Sequence, residues 1–224
     1  LYEYILDMRD YFNKTGDIVV IPSMCYLSIL SKENVILGSQ NIAEYSTNNQ
    51  TGEVTGDQLN SLGVEYTLVG HSERRTNNYE SNQIINNKIR SALSSKILPI
   101  LCVGENKIEK ENDQTFEIIK KELLEAIKDV NINKIIVAYE PVWSIGTGKL
   151  PTVEEINKVV QFIKGMLKEK EIFSEVLYGG SVNSSNINEL KKANVDGFLL
   201  GSASSNSEEL KKIIEIINKW EINW

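Results

Sequence analysis

Histidine and cysteine are scarce in this chain. Its 224 residues include one histidine, His71, and two cysteines, Cys25 and Cys102. Because structural zinc sites take four ligands mainly from these two residue types, the sequence predicts no metal site. Two cysteines are also too few for a disulfide framework, and this low number is typical of proteins in a reducing cytosol. We therefore expect a cytoplasmic protein.

Positive charge and long apolar runs are also in short supply. The chain has 24 lysines and arginines against 31 acidic residues, a formal net charge of -7 and a pI near 5.0. General nucleic-acid binding is therefore not expected, because it normally requires a basic face. The apolar runs are short, and the N-terminal LYEYILD lacks the form of a signal peptide, so no membrane segment is predicted. With 41% hydrophobic residues, the chain can still bury a sizeable core.

The chain does contain a regular alternation of short apolar runs and longer amphipathic segments. The runs predict strands at residues 18–21, 35–38, 66–69, 97–103, 135–139, 176–178 and 197–200. The amphipathic segments predict helices at residues 23–30, 55–62, 80–93, 114–128, 153–168, 186–192 and 208–220, and residues 2–13 resemble the tail of another helix. Capping boxes at Thr152 with Glu155 and at Ser205 with Glu208 mark two helix starts.

This alternation predicts a single parallel α/β domain over residues 1–224. A doubly wound sheet usually has five or six strands, whereas a (β/α)8 barrel needs eight. Seven predicted strands, preceded by part of a helix, favour a barrel whose first strand and half of whose first helix are missing. The start at Leu1 rather than methionine suggests the same. A doubly wound sheet remains the alternative.

Two strand ends carry candidate catalytic residues, because barrel active sites lie at the C-terminal ends of strands. His71 stands in GHSERR (residues 70–75), where an imidazole could act as an electrophile or proton shuttle. Glu140 stands in AYEPVWSIGTGK (residues 138–149), where residues 141–143 could cover a general base. Gly146 and Gly148 would allow a lid to move. The alternatives are a core histidine, a solvated acid and an ordinary turn.

Two further strand ends are rich in small residues. They are YGGS at residues 178–181 and LGSAS at residues 200–204. Small residues let a ligand approach the backbone, and N–H groups at a following helix start bind anions. Phosphate sites are frequent after the last two strands of barrels, although either loop could be a simple turn. Backbone donors would let an acidic protein bind an anionic ligand.

These motifs resemble the triosephosphate isomerase family along nearly the whole chain. The matching segments are TGEV (51–54), GHSERR (70–75), LCVGE (101–105), AYEPVWSIGTGK (138–149), YGGSV (178–182) and DGFLLG (196–201). The resemblance implies a (β/α)8 TIM barrel that interconverts dihydroxyacetone phosphate and D-glyceraldehyde 3-phosphate through an enediolate. It implies no metal and no organic cofactor. It also implies a homodimer, in which the loop around Thr51 inserts into the neighbouring subunit.

The resemblance also implies roles for individual residues. Glu140 would be the base that moves the proton between two substrate carbons, and His71 the neutral imidazole that polarises the carbonyl. Glu73 matches the acid beside this histidine. The segment 141–148 would form a lid that excludes water. Backbone N–H groups would hold the phosphate at four positions: Gly146, Ser181, Gly201 and Ser202.

Several positions depart from the family pattern. Ser202 replaces a usual glycine, Leu150-Pro151 replaces small residues in the rear hinge, and no Asn-x-Lys precedes the predicted first helix. Because that lysine places a cation near developing negative charge, we expect residues 1–224 alone to be a poor isomerase. An added strand with Asn-x-Lys should restore activity. The alternative is a non-catalytic, phosphate-binding relative that serves as a ligand-binding or partner-binding protein.

Overall fold

Seven parallel strands form one sheet in the computed structural model of the chain, and they lie side by side in sequence order. The structure describes residues 2–14, 18–45, 50–145, 147 and 149–221. The strands are β1 (Val19–Val20), β2 (Ile36–Ser39), β3 (Val64–Val69), β4 (Leu98–Val103), β5 (Lys134–Tyr139), β6 (Phe173–Tyr178) and β7 (Gly197–Phe198).

Ten α-helices alternate with these strands in the described residues. None of them combines the length and the apolar character that crossing a membrane requires. They are α1 (Tyr2–Lys14), α2 (Leu27–Leu30), α3 (Gly56–Ser61), α4 (Ser72–Asn77), α5 (Asn82–Ser94), α6 (Lys107–Glu111), α7 (Thr115–Ala126), α8 (Val153–Lys168), α9 (Ile187–Leu190) and α10 (Ser207–Glu221).

The predicted strands and long helices are all present, so the barrel-type α/β architecture is confirmed. Helices α4 and α6 were not predicted, because their short charged sequences have no apolar periodicity. The capping box at Thr152 is confirmed, with reciprocal bonds to Glu155. The second predicted capping box is wrong. Asn206 caps the last helix by accepting the Glu209 N–H at 3.1 Å, while Ser205 belongs to the short 3-10 helix before it.

The central strands are buried on both faces, as the continuous apolar runs predict. Alternate residues of β5 point to opposite sides: Ile135 and Val137 pack in the layer between sheet and helices. Ile136 and Ala138 pack inside the curled sheet, against a small core that also contains Leu68, Ile100 and Cys102. The sheet therefore wraps around its own interior core, with the C-terminal ends of all strands at one rim.

The first and last helices of the chain pack against each other, and this contact closes the helical layer. Met8 of α1 is fully buried against Leu210 and Ile214 of α10. The Tyr11 hydroxyl also donates to Glu215 at 2.9 Å. In the described sheet, however, β1 pairs with β2 and β7 with β6, while no pairing joins β1 to β7. The ring of helices is thus continuous at the position where the ring of strands is open.

Candidate active site

Strands β3, β4 and β5 bring the two predicted catalytic residues to the same rim. His71 lies two residues beyond β3, and Glu140 directly follows β5. The strand pairing continues past the strand end, since the Glu140 N–H donates to the Val103 carbonyl at 2.8 Å. On the other side, the Gly179 N–H donates to the Tyr139 carbonyl at 2.9 Å. These bonds hold the backbone of Glu140 from both neighbouring strands.

The carboxylate of Glu140 is buried and hydrogen-bonded through both oxygens. The residue is only 3% exposed. Its Oε1 lies 3.0 Å from Nε2 of His71, and its Oε2 accepts the backbone N–H of Ser72 at 3.2 Å. The structure therefore joins Glu140 and His71 directly. Ser72 completes the contact through its backbone, a role that the sequence motif did not reveal.

Hydrogen bonds define the protonation state of the His71 ring. The backbone N–H of Glu73 donates to His71 Nδ1 at 3.3 Å, at the start of α4. An Nδ1 that accepts a hydrogen bond carries no proton, so we assign the neutral tautomer with its proton on Nε2, facing Glu140. The pKa of His71 is raised above its usual value, chiefly by the hydrogen bond to Glu140, although partial burial opposes this shift. Glu73 acts here through its backbone, and its side chain is exposed.

Two glycines make the close packing around Glu140 possible. A Cβ atom on Gly104 would lie 1.7 Å from the Glu140 carbonyl oxygen, a distance that no side chain could occupy. A Cβ atom on Gly179 would lie 3.0 Å from the Cγ of Glu140. These glycines belong to the motifs LCVGE and YGGS, but the motifs alone did not predict that either glycine makes room for Glu140. Their importance depends on neighbours from other strands.

The segment after Glu140 is anchored to the barrel by a buried acid, Glu105. Its Oε1 accepts the indole N–H of Trp143 at 2.9 Å and the hydroxyl of Tyr139 at 3.2 Å. Glu105 is fully buried. The burial of Tyr139 itself, together with the negative charge of Glu105, raises the pKa of the Tyr139 hydroxyl. The front hinge of the predicted lid, around the 3-10 helix Val142–Ser144, is therefore fixed to the strand ends.

Two of the predicted phosphate-binding residues come together. Ser181 and Ser202 line one open cavity of about 360 Å³, together with residues that include Asn183, Asn206 and Glu209. Gly201 directly precedes the 3-10 helix that begins at Ser202. The hydroxyl of Ser181 also donates to the Ser144 carbonyl of the lid segment at 3.0 Å. Gly146, the fourth predicted residue, lies outside the described residues.

The chemistry that this arrangement supports is proton transfer. A buried carboxylate faces a neutral imidazole at the rim of the sheet. Within the described ranges, no three His, Cys, Asp or Glu side chains are grouped so that they could hold a metal ion.

The packing of Gly104 predicts the effect of a single added methyl group. Gly104→Ala must displace the Glu140 backbone, so we expect urea unfolding to show a loss of at least ~1–3 kcal/mol in the free energy of unfolding. Gly165 is a matched control, because it lies inside α8, three residues before its end, and a Cβ atom there meets nothing within 4 Å. Gly165→Ala should gain roughly 0.5–1 kcal/mol. Equal stability of the two variants would contradict the packing described here.

Comparison with known proteins gives the same result for nearly the whole chain. The sequence model of the family described as triosephosphate isomerase matches residues 3–217. Among relatives named triosephosphate isomerase, that of Mycoplasmopsis pulmonis (strain UAB CTIP) is 39% identical over 201 residues, which are 87% of this chain and 80% of the relative. That of Alkaliphilus oremlandii (strain OhILAs) is 37% identical over 228 residues, with coverages of 95% and 91%.

A third relative with the same name, from Dehalococcoides mccartyi (strain CBDB1), is 41% identical over 192 residues, 83% of this chain and 76% of the relative. Each of these alignments spans more than two thirds of both sequences, and the family match includes both Glu140 and His71. The fold, the position of the acid–imidazole pair at the rim and these similarities agree. The chain belongs to the triosephosphate isomerase family.

Proposed function

We propose that this chain interconverts dihydroxyacetone phosphate and D-glyceraldehyde 3-phosphate, with Glu140 as the base and His71 as the electrophile. The observation that carries the proposal is the 3.0 Å contact between Glu140 Oε1 and His71 Nε2 at the rim of the barrel. A base and a proton donor are thereby within reach of one small substrate. The relatives are named as enzymes, and nothing favours a non-catalytic role.

The reaction needs one carboxylate and one imidazole. The N–H at His71 Nε2 polarises the substrate carbonyl, while Glu140 removes a proton from the adjacent carbon and forms an enediolate. Glu140 then returns the proton to the neighbouring carbon, and His71 moves a proton between the two oxygens. Because His71 and Ser72 now hold Glu140, the substrate must replace these hydrogen bonds. The net contribution of a hydrogen bond to a charged group is typically ~1.5–3 kcal/mol.

Backbone amides hold the phosphate in this proposal. The N–H groups of Ser181, Gly201 and Ser202, with that of Gly146 from the lid, supply the donors. The shared cavity beside Ser181 and Ser202 supports this assignment. Glu209 also lines the cavity, but its carboxylate accepts hydrogen bonds from the N–H and the hydroxyl of Ser184 and so holds that loop in place. Closure of the lid would exclude water and protect the enediolate from losing phosphate.

We further propose a single barrel domain in which one more strand, carrying Asn-x-Lys, lies between β1 and β7. The support is the contact between α1 and α10, which closes the helical layer around the open side of the sheet. Such a strand would pair with both free edges and would place a cation near the phosphate and the developing oxyanion. The low cysteine content supports the cytoplasm as the working compartment.

Removal of the base should abolish most of the activity without unfolding the protein. In the chain extended by the Asn-x-Lys strand, we expect Glu140→Gln to lower kcat by ~10²–10⁴, the usual contribution of a general base. Glu117→Gln is the matched control, because Glu117 is exposed in the first turn of α7. Steady-state isomerase assays measure both variants. Near-parental turnover by Glu140→Gln would refute the assignment of the base.

The same assay tests the added strand. Three forms are compared: the chain with the added strand, residues 1–224 alone, and the chain with the added strand whose lysine is changed to methionine. The last two should turn over much more slowly than the first, because a preorganised donor at developing charge is commonly worth ~10²–10³ in rate. Equal turnover of the three forms would show that this cation is unnecessary.

We also propose a homodimer through the loop around Thr51. This residue is exposed at the tip of a turn, in which Gly52 adopts a φ of 85° and the Glu53 N–H donates to the Gln50 carbonyl at 3.0 Å. An exposed, hydrogen-bonded turn is a suitable shape for insertion into a neighbouring subunit.

Light scattering at micromolar concentration should therefore give the mass of a dimer for the chain with the added strand. Thr51→Arg should yield monomers, because the proposed dimer would bury the tip of this loop and the arginine would lose its hydration there. Asn60→Arg, which changes an exposed residue of α3, should leave the dimer intact. A parental protein that stays monomeric would contradict this proposal.

A further inference from the structure

Arg75 lies behind the active site and connects four parts of the barrel. Its Nε donates to the Gly70 carbonyl at 2.8 Å, and its Nη2 donates to the Cys102 carbonyl at 3.1 Å. Its Nη1 donates to Asn82 Oδ1 at 2.7 Å and lies 3.3 Å from Glu122 Oε1. One side chain on α4 thus links the ends of β3 and β4 with helices α5 and α7.

Glu122 extends this connection to the loop after β4. While one of its oxygens faces Arg75, its Oε2 accepts the backbone N–H of Gly104 at 3.0 Å. The two side chains are only 18% and 14% exposed, for Arg75 and Glu122 respectively. Charge-assisted hydrogen bonds in such a shielded place are stronger than neutral ones, and the planar guanidinium keeps its partners in a fixed geometry.

Both backbone groups held at the far ends of this network adjoin the proposed catalytic pair. Gly70, whose carbonyl is held by Arg75, is the residue before His71. Gly104, whose N–H is held by Glu122, packs so closely on Glu140 that a Cβ atom there would lie 1.7 Å from the Glu140 carbonyl oxygen. A shift of either loop would therefore change the distance between the base and the imidazole.

We propose that Arg75 and Glu122 act together as a positioning clamp, which keeps the loop of His71 and the loop beneath Glu140 in register for proton transfer. Neither residue touches the reacting atoms, so both are positioning residues. This inference rests on the proposed isomerase function. A misplacement of about 1 Å can cost roughly a hundredfold in rate, so a clamp of this kind acts on kcat.

The negative charge of Glu122 lowers the stability of the folded protein. A purely structural residue would stabilise the fold, so this cost distinguishes a positioning role from a structural one. Burial raises the pKa of Glu122 to about 6, although Arg75 and the Gly104 N–H lower it. The negative charges of Glu109 and Glu140 also face it, and Glu122 in turn helps to raise the pKa of the buried Cys102 thiol. Because the folded-state pKa lies above the usual value of 4.5, stability is lost as pH rises through about 6. At pH 7 the ionised form is therefore kept at the expense of stability.

The test is Glu122→Gln in the chain extended by the Asn-x-Lys strand, with Glu117→Gln on the exposed side of the same helix as the control. At pH 7.5 we expect Glu122→Gln to lower kcat roughly 10- to 100-fold, with KM within about twofold, because the substrate contacts are intact. Its urea midpoint should not fall. Glu117→Gln should leave kcat and KM unchanged and lower the urea midpoint only slightly, because it removes an acid from the first turn of α7.

Two further readouts make the result decisive. The ratio of parental to Glu122→Gln kcat should shrink as pH falls through about 6, because protonated Glu122 is neutral like glutamine. The NMR signals of the His71 imidazole should shift in Glu122→Gln but not in Glu117→Gln. In this chain they come from the only histidine. Arg75→Lys, which keeps the charge and loses the fork, should lower kcat in the same way.

If Glu122→Gln leaves both kcat and the His71 imidazole signals unchanged, the clamp is overturned. It is also overturned if the urea midpoint of Glu122→Gln falls so far that partial unfolding explains the whole loss of activity. If the parent is active and Glu140→Gln is not, the isomerase function stands even when the clamp fails. If the parent is inactive, the proposed function fails, and the His71 signals still decide whether Glu122 positions this ring.

Discussion

The burial of the Glu140 charge is the constraint on which the rest of the site depends. An ionised carboxylate taken out of water is stable only when its oxygens are hydrogen-bonded. Here His71 and the Ser72 N–H provide these bonds, and both come from the start of α4. Gly104 and Gly179 leave the space in which the acid can lie. The two neighbouring strands are therefore followed by glycine at this rim, since a side chain at either position would collide with Glu140.

The same contacts impose a mechanical requirement on catalysis. Glu140 rests against His71 in this structure, and in the proposed mechanism a substrate carbonyl needs the same Nε2–H donor. The carboxylate must therefore move while its backbone stays fixed by the strand-end hydrogen bonds to Val103 and Gly179. Trp143 and Glu105 hold the hinge that follows. A side chain that moves on a fixed backbone, next to a segment that can close, is a suitable arrangement for admitting a substrate and then excluding water.

Sequence patterns predicted the fold well where burial is complete on both faces, as in β4 and β5. They were less accurate at β6, because Ser174 and Glu175 interrupt the apolar run near the start of the strand. The sequence singled out His71 and Glu140 because titratable groups at strand ends are conspicuous, and the structure places the two side chains in contact. Ser72, Gly104 and Glu105 were missed, since their roles arise from backbone groups and neighbours that only folding brings together. The catalytic roles of His71, Glu73 and Glu140, the phosphate-binding roles of Gly146, Ser181, Gly201 and Ser202, and the dimer contact at Thr51 all stay predictions.

Isomerisation in D2O tests the central claim, that Glu140 carries a proton between two carbons, most directly. A carboxylate that holds the abstracted proton can exchange it with solvent before returning it. The account predicts deuterium in the product, at the carbon that receives the proton, and loss of both turnover and labelling in Glu140→Gln. Product formed by the parental protein without any deuterium would indicate direct transfer between the carbons and would contradict the account.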